Sequence, residues 1–146
     1  MEFHNMVKTA TAQIDAIILK TEKRSIALAR QSTQELVDQA QKPVAKGGKM
    51  RVDSGFLRAS GQMSLNGMPT GPVRPEADQP GNYNWEQTTV ITTLARLKLG
   101  GAAFFGWTAN YAKYRETYDG FLDAAVQNWA AIVEKVARQI KARIIQ

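Results

Sequence analysis

A chain of 146 residues, 44% apolar and 22% charged, has room for one hydrophobic core and the composition of an ordinary globular domain. It holds no cysteine, which excludes disulfides and thiolate metal sites, and one histidine, which leaves little for nucleophile–base catalysis. The formal net charge of +6 favours anionic surroundings such as nucleic acid, acidic protein surfaces or lipid headgroups.

The opening residues Met1-Glu2-Phe3-His4-Asn5 are polar, and the longest apolar run near them is Ala16-Ile17-Ile18-Leu19. Neither a cleaved signal nor a membrane span, which needs ~20 apolar residues, is expected. From about Phe3 to Ala40 there is no glycine or proline. Apolar residues recur at Phe3, Met6/Val7, Ala10, Ile14 and Ile17/Ile18, then at Leu28, Leu36/Val37 and Ala40. That spacing predicts a helix over 3–40. At 1.5 Å per residue it would be roughly 55 Å long, more than a compact domain of this size spans. A bend in the Thr21–Ser25 stretch, or packing on another subunit, is therefore expected.

Pro43 and Gly47-Gly48 end this helix and open a basic linker from Lys42 to Arg51. In the following Val52-Asp53-Ser54-Gly55-Phe56-Leu57-Arg58-Ala59-Ser60, Asp53 and Ser54 both suit the N-cap of a short helical turn. A brief strand is expected over about 62–65. Asn66 to Asn84 holds four of the five prolines and reads as a long loop, of the kind that is usually functional or disordered. Trp85 to Leu97 alternates and is rich in threonine, valine and isoleucine, which predicts a strand. Gly100-Gly101 would turn it into an antiparallel partner over 102–107. Phe121 to Ile144 predicts one amphipathic helix with Leu122, Ala125/Val126, Trp129, Ile132/Val133 and Val136 on its stripe. The expected fold is a single α+β domain over 1–146, a small antiparallel sheet covered by a helix from each end of the chain.

Chemistry is hard to place on this pattern. His4 reads as an exposed residue near a frayed end. Asp119 and Asp123, or Glu116 and Asp119, lie at helical spacing, but such acids usually occupy solvated or helix-start positions rather than metal sites. Gly47-Gly48-Lys49 lacks the spacing of a phosphate loop, and Gly-x-Gly-x-x-Gly is absent. No carboxylate pair stands out as general acid and base. No catalytic, cofactor or metal residue is assigned, and no enzyme activity is expected. Nucleic-acid contact competes more seriously. Between Lys20 and Arg58 stand nine basic residues against four acidic ones, densest at Lys42, Lys46, Lys49 and Arg51. That suits either a solvated flank or a sequence-independent phosphate contact. No recognition helix or aromatic platform accompanies it.

Two stretches carry a resemblance. Val52-Asp53-Ser54-Gly55-Phe56-Leu57-Arg58-Ala59-Ser60 resembles the Val-Asp-Thr-Gly, one residue, Leu-Arg, one residue, Ser stretch of small neck and minor tail proteins of long-tailed bacteriophages. Serine in place of threonine keeps the capping hydroxyl. Tyr111-Ala112-Lys113-Tyr114-Arg115-Glu116, followed by Phe121-Leu122, is similar to that family's Tyr-Ala-x-Tyr-x-Glu run and the Phe-Leu that opens its last helix. The family's Gly-Thr after the glutamate and Arg-Pro before Phe-Leu are replaced here by Thr117-Tyr118-Asp119-Gly120, so this corner is expected to differ.

The resemblance implies a tail-completion or head–tail joining protein of the virion, forming a ring, often of six copies, around a DNA channel. Its partners would be further copies of itself and neighbouring neck and tail proteins: a head-completion or stopper protein, the tail terminator and the tail tube. Val52, Asp53, Ser54, Gly55, Leu57, Arg58, Tyr111, Tyr114, Glu116, Phe121 and Leu122 would form the assembly motif. Lys42, Lys46, Lys49 and Arg51 would face DNA or a partner, and the proline-rich loop would reach a neighbouring subunit. The alternatives are a tail terminator or head-closure protein of the same neck, or a small basic protein that binds nucleic acid without sequence preference.

Overall fold

The expected first helix forms without interruption. In the computed structural model, which describes the backbone of residues 2–70 and 83–145 and the side chains of 8–70 and 83–144, α1 runs from Glu2 to Ala40. Its 39 residues span about 58 Å. The helix is unbroken through Thr21–Ser25, where the Thr21 and Ser25 hydroxyls donate to the carbonyls of Ile17 and Thr21. The expected proline-rich loop falls largely on residues 71–82, outside the described residues, as does the His4 side chain.

After a single 3-10 turn at Val44–Lys46 come α2 (Phe56–Ala59), β1 (Gly61–Ser64), α3 (Gln87–Leu94), β2 (Phe104–Trp107), α4 (Ala112–Asp119), α5 (Phe121–Gln127) and α6 (Trp129–Ile145). The fold is α+β, with long helices from the two ends of the chain and a two-stranded antiparallel sheet.

Three expectations need correction. Trp85 to Leu97 is not a strand: its centre is the helix α3. Val90, Leu94 and Leu97 are buried, and their spacing of four and three residues is helical. The strand preference of threonine and isoleucine is worth at most about 1 kcal/mol per residue, and burying one helical face overrides it. The threonine hydroxyls also find helical partners, Thr89 donating to the Glu86 carbonyl and Thr92 to that of Thr88.

The expected hairpin is therefore replaced by a non-local pair. β2 lies against β1, with Gly61 opposite Trp107 and Ser64 opposite Phe104, and α3 packs on the β1 side. The C-terminal helix is also not continuous. Asn128 separates α5 from α6, and its side-chain amide donates to Gln39 Oε1 at 3.0 Å. The buried face then runs through Phe121, Ala125, Ile132 and Val136, leaving Leu122, Val126 and Trp129 of the expected stripe exposed. The helix α4, which has no buried residue, had no apolar signal to reveal it.

Two core clusters result. Met50, Phe56, Leu57, Ala109 and Phe121 form one, and Val37, Val90, Leu94 and Leu97 the other. The second half of α1 is clasped on two faces. Ile26, Ala29 and Val37 point to the α3 cluster, while Glu35 and Gln39 meet α6 and the Asn128 corner. The pairings Glu35–Lys135 and Gln39–Asn128 run α6 antiparallel to α1.

Asp38 titrates with a sign opposite to most carboxylates. Burial raises its pKa above 3.8, the hydrogen bond from Gln87 and the nearby Arg58 oppose the rise, and Glu35 adds to it. A raised folded-state pKa contributes stability that is full below 3.8 and is lost as pH rises through the folded value. Asp38→Asn keeps the oxygen that accepts from Gln87 at 2.8 Å. It is expected to raise the melting temperature at neutral pH and to bring no gain below pH 3.8, as thermal unfolding at the two pH values would report.

Candidate assembly surfaces

The two resembling stretches lie about fifty residues apart in sequence, and the fold brings parts of them together. In the first, neither Asp53 nor Ser54 is the N-cap of α2: that position is Gly55, which offers no side-chain cap, and the Ser54 hydroxyl one residue earlier accepts from the Phe56 amide at 3.3 Å. Gly55 sits at φ +87°, and a Cβ there would lie 2.4 Å from the Tyr83 carbonyl oxygen, so the position demands glycine twice over. The same crossing is sealed by the Tyr83 amide donating to the Ser54 carbonyl at 3.1 Å. Phe56 and Leu57 then enter the core, and the Phe56 ring meets Tyr83 edge-on at 5.1 Å and Tyr111 at 6.2 Å.

Tyr111, from the second stretch, closes a cleft of about 220 Å³ whose walls include Arg51, Asp53, Ser54, Arg58 and Arg115. Burial pushes the Tyr111 phenol above its ordinary pKa, and a hydrogen bond with the Leu57 backbone opposes that rise. The cleft is polar and cationic, with three arginines against one carboxylate on its wall.

Arg58 is positioned by a residue that carried no signal in the sequence. Gln41, just past α1, is fully buried. Its Nε2 donates to the Arg58 carbonyl at 2.9 Å, its Oε1 accepts from Trp107 Nε1 at 2.9 Å, and its backbone carbonyl accepts from Arg58 Nε at 2.8 Å. The Arg58 guanidinium also lies 5.2 Å over the Trp85 ring. One side chain thereby ties the end of α1, the first stretch and β2 together. A polar residue at a helix end looks solvated in sequence, and only the packing shows otherwise.

The second stretch divides by role. Phe121 is buried in the core, with its ring 4.9 Å from that of Trp107. Leu122 and Val52 are partly exposed, and Leu122 borders a small cleft with Val37 and Phe105. Tyr114 is exposed, its ring tilted against that of Tyr118 at 4.8 Å, and it does not line the arginine cleft. Glu116 caps α5: its two carboxylate oxygens accept the Leu122 and Asp123 amides, each at 2.9 Å. The spaced acids of this corner are each engaged elsewhere. Asp119 takes both guanidinium contacts of Arg115, and Asp123 accepts from Gln127. Among the described residues no group of three or more potential metal ligands gathers. Glu116→Ala is expected to cost about 1 kcal/mol, the usual worth of an N-terminal cap, with Glu116→Gln intermediate because it keeps one acceptor. Urea unfolding of the three proteins would order them.

The basic stretch is a tight loop rather than a slack linker. The Val44 amide donates to the Met50 carbonyl at 3.0 Å, the Met50 amide to Lys42 at 3.3 Å and the Gly48 amide to Pro43 at 2.9 Å. A Cβ on Gly48 would fall 1.9 Å from the Lys42 carbonyl oxygen, which explains the glycine there. Met50 anchors the loop with no exposed surface, while Lys42, Lys46, Lys49 and Arg51 are exposed.

Part of α1 presents an uncovered apolar surface. Every residue from Lys8 to Ser25 is exposed, among them Ile14, Ile17, Ile18 and Leu19. Among the described residues no helix is long and apolar enough to cross a membrane. Compared with protein-family models, curated proteins and solved structures, the chain gives no significant match.

Proposed function

We propose that this chain is a non-enzymatic structural protein of a tailed-phage virion, a ring-forming component of the neck that joins the capsid side to the tail. The observation that carries the self-assembly part is the arm of α1, on which Ile14, Ile17 and Ile18 share one face and stand about half exposed or more. Isolated exposed apolar residues are ordinary on a protein surface, whereas a contiguous stripe on a helix that leaves its own domain suits a partner. The family assignment is supported by the two resembling stretches, whose Asp53, Ser54, Arg58 and Tyr111 share one cleft. A cleft rimmed by arginines suits an acidic segment of a neighbouring subunit. The homologous neck roles, tail terminator and head closure, rest on the same support.

The test is loss of function in the phage or prophage that carries the gene. Without this chain, filled heads and finished tails should accumulate unjoined, and the purified protein should restore joining in extracts. Its gene should sit beside those for portal, major capsid and tail tube proteins. A setting among metabolic genes, or normal virions without the protein, would sink the reading.

One observation favours a second reading, sequence-independent nucleic-acid binding: Lys42, Lys46, Lys49 and Arg51 are all exposed on one loop closed by backbone hydrogen bonds. Phosphate contacts of this kind make affinity fall steeply with salt. Replacing the three lysines by glutamine should then abolish binding to unrelated duplex DNA and flatten its salt dependence.

A further inference from the structure

The uncovered stripe of α1 has a definite direction. At 3.6 residues per turn, Ala10, Ile14, Ile17, Ile18 and Thr21 fall on one face, and the same face continues through Leu28 to Glu35 and Gln39. Those last two are the residues that meet α6 and its leading corner. The stripe is thus the α6-binding face prolonged. Near its middle, Thr21 and Leu28 form with Ile140 and Ile144 of α6 an apolar groove of about 550 Å³. Towards lower residue numbers from Thr21, no described residue buries the face, and Ile14, Ile17 and Ile18 are 57%, 63% and 49% exposed.

The charges beside the stripe select the partner. Lys20 and Arg24 flank it on one side, while Asp15 and Glu22, with Lys8 one heptad earlier, lie round the other, so that one flank is basic and the other acidic on balance. When two copies of one helix pack in parallel through the same stripe, each basic flank faces the other's acidic flank. In antiparallel packing, like flanks meet. The spacing Ala10, Ile14, Ile17, Thr21 is the alternating four-and-three repeat of a helical bundle seam. Isoleucine at both kinds of seam position favours three or more strands over two, and Ile18 widens the seam in the same sense.

We infer that the arms of several copies of this chain pack in parallel through Ala10, Ile14, Ile17 and Thr21, forming a multi-stranded helical bundle that holds the oligomer together. The inference rests on reading the chain as self-assembling, not on its place in a virion. Parallel arms are compatible with a closed cyclic assembly, in which every subunit points the same way along the axis.

The test uses the full chain. Sedimentation should show an oligomer of three or more copies, and Ile17→Glu should convert it to monomer while leaving the thermal unfolding of the domain unchanged, because Ile17 is 63% exposed and outside both core clusters of the described residues. Since the chain has no cysteine, Ala10→Cys provides an independent readout of orientation. Parallel arms bring Ala10 beside its own copy and should yield a disulfide-linked species under mild oxidation. A wild-type chain that sediments as a monomer at its highest soluble concentration would overturn the inference. So would an oligomer indifferent to Ile17→Glu, or cross-linking only when Ala10→Cys is mixed with Thr21→Cys, the antiparallel register. Such failures leave the head–tail joining assay untouched, and failure of that assay leaves the bundle intact, so the two can fall separately.

Discussion

Gln41→Leu is expected to destabilise the protein by about 2–4 kcal/mol, although it replaces a polar residue in the core by an apolar one of similar size. Gln41 has no exposed surface, and its side chain satisfies the Trp107 Nε1–H and the Arg58 carbonyl at 2.9 Å each. Leucine would leave both without a partner, and a buried polar group stripped of its hydrogen bond costs roughly 1–3 kcal/mol. The gain from burying an apolar side chain offsets only part of that loss. For a domain of this length the melting temperature should fall by about 5–15 °C. Gln62→Leu is the control: Gln62 is exposed on β1, and its substitution should stay within about 0.5 kcal/mol. Equal effects at the two positions would refute the role assigned to Gln41.

Phe121→Ala should cost still more, about 3–5 kcal/mol, the range for removing a buried aromatic ring from a packed core. Phe121 is 2% exposed and belongs to the core cluster of Met50, Phe56, Leu57 and Ala109, with Trp107 edge-on at 4.9 Å. It also starts α5, so the cavity would open where that helix meets the basic loop and the first resembling stretch. A loss of this size is a large share of the 5–15 kcal/mol that holds ordinary domains together. Leu122→Ala, at the neighbouring position and 39% exposed, should cost about 1 kcal/mol or less. Denaturant unfolding of the pair would separate a core role from a surface one within a single dipeptide that sequence presents as a unit. Should Leu122→Ala prove the more damaging, the helix register given to α5 is wrong.

The arm and the core predictions bear on different questions. Gln41 and Phe121 hold one subunit together, and their variants should unfold it before any assembly is lost. Ile17→Glu should do the reverse. An assembly defect with an unchanged melting curve would therefore point to α1, whereas a defect accompanied by a lowered melting temperature would point to the junction around Gln41 and Phe121.

Features under local control could be read along the chain. A stretch of thirty-odd residues without glycine or proline, apolar at helical spacing, became α1. The Ser54-Gly55 pair before an apolar residue became a helix start, with Gly55 rather than Asp53 or Ser54 at the N-cap, and Gly47-Gly48 after Pro43 became a turn. Even the excess length of α1 was readable, since rise per residue depends on nothing outside the helix. Where two local preferences compete, packing selects between them. Trp85 to Leu97 satisfied both a two-residue alternation and a four-and-three spacing, and burial of Val90, Leu94 and Leu97 selected the helix. The break at Asn128, the choice of Phe121 over Leu122 as the buried residue, and the pairing of β1 with β2 across forty residues all depend on neighbours distant in the chain. So does the conversion of Gln41 from an apparently solvated helix end into the buried link among α1, Arg58 and Trp107, because a hydrogen bond's worth is set by what surrounds it.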